Sequence, residues 1–442
     1  MDAQRRRQAR HERGLYASDP TEHLTRGDNE ETVPIPMRIA VIEPLPVGGL
    51  LHYTTQLADA LAERGNSVDL VLPREHELAA RTGPARRRAI LPPDALPAPT
   101  SPTRFQRTLR RSRTAIRLVE TWIRIAREVH FGNYDAILLG GSFDMALTAA
   151  GGLLVTRLKG RTPLTHVCHN VRPFNRWGGD HLYVNSGPTL ALLRRLYPSF
   201  DLLFVHGEQS KREFEETWPA TRLKIIPHGD ERLFSDEPPP PTDEARILFF
   251  GTWRKMKGLP VLMEAFDALA ALRPEVRLTI AGPPVPEEGE SERVLAWAAA
   301  HGERVEALPG YVPIDEVVKL FAQARVVVLP YLTGYQSGVV HLAMTMERAV
   351  VATAVGDLPD AVIDEVTGLV VPARDSHALA DALDRVVSDA GFAKRLGAAG
   401  HAGMLEGAGW PMVAEKVEAG LKSLISGRKS NLPSDDRDHR FA

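Results

Sequence analysis

At 442 residues the chain exceeds what one ordinary hydrophobic core organises, and a share of about 150 residues per domain gives two or three units, of which two is the working number. Its composition, 43% hydrophobic and 25% charged with a net charge of −2, excludes a wholly disordered chain and gives no sign of a polyanionic partner such as nucleic acid. The single cysteine, Cys168, excludes an internal disulfide framework and a cysteine-built zinc site, and fits a reducing, cytoplasmic compartment.

Residues 1–33 carry Arg5, Arg6 and Arg7 but no apolar block, so they are expected to form a disordered extension rather than a secretory signal. No run approaches the roughly 20 apolar residues of a membrane-spanning helix. From there the chain alternates short apolar runs with amphipathic stretches, the pattern of parallel βα units. Strands are expected at 39–42, 68–72, 136–139, 164–167, 202–205 and 224–226, giving an N-terminal Rossmann-like domain over 34–235. Its first helix follows a Gly48-Gly49 turn and carries Leu50, Leu57, Ala58 and Leu61 at helical spacing.

Four consecutive prolines within 236–243 exclude helix and central strand, so this segment is expected to be a linker. A second Rossmann-like domain follows over 244–408, with strands at 247–250, 276–280, 326–329, 350–353 and 369–371. A last helix over 409–426, containing Trp410, is expected to pack back toward the first domain, before a disordered tail at 427–442. The fold class is therefore α/β, with two doubly wound domains whose ligands belong at the carboxyl ends of their strands.

Three segments occupy such positions. Gly48 and Gly49 open a helix after the first strand, where bare amides and the positive helix end can meet an anion; a tight turn needing positive φ is the competing explanation. The pair is not a full G-x-G-x-x-G, and Asp69 lies inside the next strand, so a dehydrogenase fingerprint is poorly met. Residues 250–258, Phe-Gly-Thr-Trp-Arg-Lys-Met-Lys-Gly, place Arg254, Lys255 and Lys257 after the first strand of the second domain. Cations there suit a leaving diphosphate, and an exposed basic turn is the alternative. Finally, Gln336, Ser337, Gly338 and Val339 lead into a helix, where a hydroxyl and bare amides can meet phosphate or ribose, or Ser337 can simply cap.

Over residues of about 38 to 425 the chain resembles the retaining glycosyltransferases of family 4, which have the GT-B fold of two Rossmann-like domains facing across a cleft. The likeness rests on the Gly-Gly turn, on FFGTWRKMKG, and on the stretch YQSGVVHLAMTMERAVVATAVGDLPDAVIDEVTGLVVPARD with a late Trp410 helix. It implies an acceptor-binding first domain, a second domain that holds a UDP- or GDP-sugar, and no metal or resident cofactor. By the same resemblance Arg254 and Lys257 neutralise the donor diphosphate, Gly49 and Gly251 belong to the phosphate loops, and His169 contacts the transferred sugar. His166 points to the opposite face of its strand. Gly334 and Leu342 stand where many relatives carry an acidic pair, of which a Gln-Ser-Gly-Val subgroup likewise lacks one or both members, and Glu347 lies farther along the same helix. A sugar-nucleotide epimerase and a degenerate partner subunit therefore stay open beside a hexosyltransferase making a polysaccharide, glycolipid or glycosylated metabolite. The arginine-rich region 81–127, interleaved with Ile116, Val119, Trp122 and Ile123, fits either peripheral contact with an anionic inner membrane face or an ordinary surface helix. It has no aromatic stacking platform for nucleic acid.

Overall fold

Fully apolar runs such as Ala136–Leu139 (AILL) and Val326–Leu329 (VVVL) are what strands buried on both faces require, and each becomes a central strand of a parallel sheet. The computed structural model describes residues 36–93, 104–173, 187–219, 222–242, 244–285 and 289–429, with the side chains of 104–111 and 429 outside that description. The expected N-terminal extension and most of the expected tail lie outside the described residues.

The first sheet has seven strands: β1 (Arg38–Ile42), β2 (Ser67–Pro73), β3 (Arg86–Leu91), β4 (Ala136–Leu139), β5 (Leu164–Val167), β6 (Leu202–Val205) and β7 (Leu223–Ile225). Their spatial order is β3-β2-β1-β4-β5-β6-β7, all parallel. The second has six: β8 (Arg246–Phe250), β9 (Arg277–Gly282), β10 (Val305–Pro309), β11 (Val326–Leu329), β12 (Ala349–Thr353) and β13 (Leu369–Val371), in the order β10-β9-β8-β11-β12-β13. Each order reverses once, between β1 and β4 and between β8 and β11. Helices crossing to opposite faces leave a crevice at such reversals, where loops diverge and a ligand can enter.

Two strands escape the apolar-run criterion. Both are edges, and edge strands need no continuous apolar face. In β3 the charges are absorbed by carboxylates: Arg86 makes a bidentate pair with Asp69 (2.6 and 2.7 Å), Arg87 with Asp59, and Arg88 with Glu128. Asp69 also accepts from the Tyr134 hydroxyl at 2.9 Å, a structural task unrelated to a dinucleotide ribose.

The proline segment forms neither helix nor strand over 236–242, and its Pro239 and Pro240 carbonyls each accept from the Arg348 guanidinium at 2.7 Å. Helix α1 (Gly49–Glu63) covers the first sheet, and the last helix, Trp410–Lys429, packs on it. Trp410, Val413, Val417 and Leu421 join Leu57, Leu61 and Val68 in one apolar core, so the end of the chain returns to the N-terminal domain. The Trp410 ring lies so close to Gly229 (φ +99°) that a Cβ there would stand 2.6 Å from it.

Candidate active site

Loops from the reversal points of both sheets line one cavity of about 270 Å³. Leu45 and Leu50 come from the β1–α1 turn, Ser142 and Asp144 from the end of β4, and Asn170 from the end of β5. The opposite wall is Thr252, Arg254, Met256 and Lys257 after β8, with Tyr331, Gly334, Tyr335 and Gln336 after β11. Of the residues singled out by sequence, Arg254, Lys257 and Gln336 meet here, together with Gly334.

Lys257 ends a short 3-10 turn over Lys255–Lys257 and is half-buried, with Nζ 3.5 Å from the centroid of the Tyr331 ring. The ring face holds the ammonium in the cavity without neutralising it, which a carboxylate would do. Gln336 lines the same wall, and its buried Nε2 has no hydrogen-bond partner among the described residues.

Other expected contacts have different work. Gly48 adopts φ +90° and its N–H donates to Glu77, which also takes bonds from His52 Nε2 (2.6 Å) and, across the domain interface, from the Tyr311 hydroxyl. A carboxylate thus occupies the amide that the Gly-Gly reading offers to phosphate. Burial pushes the Glu77 carboxyl upward, but the His52 and Tyr311 bonds outweigh it and hold it below the usual range. Gly49 starts the helix beside Leu50, with nothing within 4 Å of a Cβ position. The Gly251 N–H is spent on the Ala281 carbonyl at 2.9 Å. Ser337 is buried against the Tyr331 hydroxyl (3.0 Å) and makes no capping bond, while Val339 packs on the C-terminal core. Glu347 sits past the end of its helix, at φ +53°, and does not line the cavity.

His169, the chain neighbour of Asn170, is half-buried and stands in a cluster of rings that includes Tyr53 (centroids 4.6 Å), His206 (4.7 Å) and His228 (6.0 Å). Burial, then the adjoining His206 and His166, push its pKa well below the ordinary histidine value. It is therefore neutral, and its tautomer follows from its neighbour. His206 is also neutral, its pKa lowered to about 4 by burial, and its Nδ1 lies 3.3 Å from the Ile226 carbonyl, which can only accept. His206 Nε2 then accepts from His169 Nδ1 at 3.0 Å, leaving His169 Nε2 with the lone pair. His166 faces the other side of β5, bonded to the Leu139 carbonyl at 2.7 Å and stacked on Phe200, as alternation along a strand demands.

The ring cluster ends at the domain boundary, where His228 stacks on His341 and a Cβ on Gly338 would lie 3.3 Å from His228. Beside it Glu231 accepts from Gln56 at 3.2 Å, and its own N–H donates to the Thr345 hydroxyl of the second domain at 2.9 Å. Burial raises the Glu231 carboxyl to about 8. A carboxyl at 4.5 when unfolded and about 8 when folded leaves the native state holding the extra proton between those values, so stability falls as pH rises through that window. Glu231→Gln keeps a neutral side chain of the same shape. Its melting temperature should match wild type at pH 5 and exceed it at pH 9; an equal loss at both pH values would refute the assignment.

Sequence reasoning missed Ser142, Asp144, Asn170, Thr252 and Tyr331. All lie just past the carboxyl end of a strand, which is the signal that could have found them. Among the described residues no group of three or more histidine, cysteine or acidic side chains is placed to hold a metal ion.

Two facing Rossmann-like domains with a basic, amide-bearing cleft define a GT-B architecture, and sequence comparison agrees. The profile described as Glycosyltransferase Family 4 matches residues 47–229, and that described as Glycosyl transferases group 1 matches residues 244–389. Together they cover well over half of the chain, which belongs to the GT-B glycosyltransferases of family 4. The D-inositol 3-phosphate glycosyltransferase of Corynebacterium aurimucosum is 27% identical over 248 residues, a match covering 51% of this chain and 58% of that relative. Among solved structures, sucrose-phosphate synthase from Thermosynechococcus elongatus superposes with a TM-score of 0.67 at 22% identity, over 88% of this chain and 100% of that one. HepE from Anabaena, in complex with UDP and glucose, does so at 0.63 and 17%, with the same coverage. At these identities the two structures show a shared fold.

Proposed function

We propose that the protein is a hexosyltransferase that moves a sugar from a UDP- or GDP-sugar to an acceptor hydroxyl with retention of anomeric configuration, and needs no metal or other resident cofactor. The observation that carries this is the cavity with Arg254 and Lys257 on its C-terminal wall and Ser142, Asp144 and Asn170 opposite. As the bond from C1 to the diphosphate oxygen breaks, negative charge grows where the two cations sit, and cations already in place need no reorganisation. The acceptor oxygen forms its bond to C1 on the same face, and its proton passes to the departing diphosphate oxygen. His169 accepts a hydroxyl of the sugar through Nε2, and Gln336 Nε2 donates from the wall where relatives carry acids. The Anabaena complex with UDP and glucose supports uridine as the nucleoside.

Titration calorimetry with UDP, GDP and ADP should show one nucleoside diphosphate bound at least tenfold more tightly than the others. Negligible binding of all three favours a degenerate subunit and ends the proposal. NMR of the product should show the donor's anomeric configuration, and an inverted product would end the claim of retention.

The enzyme works at the cytoplasmic side of a membrane, touching it through α2 (Arg104–Phe131). This helix leaves Ile116, Val119 and Ile123 exposed (67, 45 and 48%) at i, i+3 and i+7, flanked by exposed Arg113 and Arg127. The arginines of β3 do not contribute, because carboxylates already hold them. No described helix is long and apolar enough to cross a membrane, so this is surface contact. Ile116→Glu combined with Ile123→Glu should abolish flotation with anionic liposomes at low salt; wild-type protein that stays at the bottom of the gradient would reject the contact.

A further inference from the structure

A second cavity of about 90 Å³ lies in the N-terminal domain and shares Leu45, Ser142 and Asp144 with the cavity described above. Its walls are largely apolar, from Pro44, Pro92, Pro93, Leu118, Trp122 and Met145; Thr114, Thr121 and Thr148 also line it, and the hydroxyls of Thr121 and Thr148 are spent on the Arg117 and Met145 carbonyls at 2.8 Å. Trp122 is buried, with its indole resting on Gly151, where a Cβ would come within 2.1 Å of the ring. The indole N–H has no hydrogen-bond partner among the described residues. Half-buried Arg117 is the charged side chain on the α2 wall, and Asp144 stands where the two cavities join.

We propose that this slot takes the body of the sugar acceptor, and that the acceptor is an alcohol with an apolar, ring-sized or branched body rather than a free sugar. This rests on the adjoining cavity holding the donor. A polyol placed against proline, leucine, methionine and tryptophan would leave most of its hydroxyls unpaired, whereas an apolar body buries its surface at no such cost. The nucleophilic hydroxyl then lies at Ser142 and Asp144, the polar residues common to both cavities. Reaction joins this hydroxyl oxygen to C1 of the sugar as the diphosphate leaves with the proton.

Ligand-observed NMR titration of the full chain with benzyl alcohol and with glycerol, each with and without UDP, tests this. Benzyl alcohol should bind at least tenfold more tightly than glycerol. Leu118→Glu should abolish the preference, and Leu118→Gln, which adds no charge, should reduce it, with UDP binding unchanged within about twofold in both. Equal affinity for the two alcohols, or a preference insensitive to Leu118→Glu, overturns the slot. Failure to bind UDP with the preference intact would instead sink the donor assignment and leave the slot standing.

Discussion

Lys257→Ala should slow both sugar transfer and acceptor-independent donor hydrolysis by about 10²-fold, the scale seen when one preorganised transition-state donor is removed. The reason is positional. The ammonium sits half-buried over the Tyr331 ring inside the cavity, so it meets the growing charge of the diphosphate in a site with less water to screen it. One charge-assisted hydrogen bond is worth roughly 1.5–3 kcal/mol, or about one to two powers of ten in rate. Arg254→Ala should cost nearly as much, and the double variant less than the product of the two, because both cations act on one anion. Lys257→Arg keeps the charge but trades a compact ammonium for a planar fork, so partial recovery is expected. Single-turnover rates measured beside UDP affinity should show kcat falling more than binding. Rates within a few-fold of wild type in either alanine variant would remove these residues from the mechanism.

Gly258→Ala should be the most destabilising single methyl addition near the site, and should depress transfer at least tenfold without removing any functional group. Gly258 holds φ +69° at the junction between the basic turn and the helix Leu259–Leu272, a conformation that costs an alanine about 1–2 kcal/mol. Its added Cβ would stand 1.9 Å from the Pro330 carbonyl oxygen and 2.9 Å from the carbonyl carbon, so backbone rather than a flexible side chain must give way. The same two loops are tied by the bond from Leu332 N–H to the Met256 carbonyl at 2.8 Å. Pushing them apart therefore separates Lys257 from Tyr331, the ring that holds it in place. Overpacking of this kind costs about 1–3 kcal/mol, so differential scanning calorimetry should show a melting point several degrees lower. An unchanged melting temperature with full activity would mean that the loops slide freely and that Tyr331 does not position the cation.

The two variants probe features that were unequally visible before folding. Arg254 and Lys257 could be found because the strand 247–250 is an unbroken apolar run, and a basic loop directly after such a strand in an α/β sheet faces the ligand side. Tyr331 gave no comparable signal, since an aromatic residue after a strand is most often core. Gly48, Ser337 and Gly338 were legible as positions with unusual backbone or open amides, and Gly251 was assigned by resemblance. What the linear chain could not show is that Glu77, 29 residues away, takes the Gly48 amide, or that Ala281 takes that of Gly251. His169 was assigned by resemblance, and its neutral tautomer depends on His206, which arrives from the neighbouring strand. The edge strands β3 and β10 were missed because pairing on one side only, with carboxylates answering the β3 arginines, frees them from the apolar pattern.

By itself the chain determined two parallel α/β layers, the proline segment between them and the basic loop, because apolar periodicity, proline's missing N–H and residues next to strand ends are local properties. Only tertiary packing decided which wall each loop contributes to the cavity, which amides remain for a ligand, and that an apolar slot adjoins the transfer point. Those outcomes depend on groups far apart in sequence competing for the same hydrogen bonds and the same space, which is settled when the two sheets and the returning Trp410 helix close on one another.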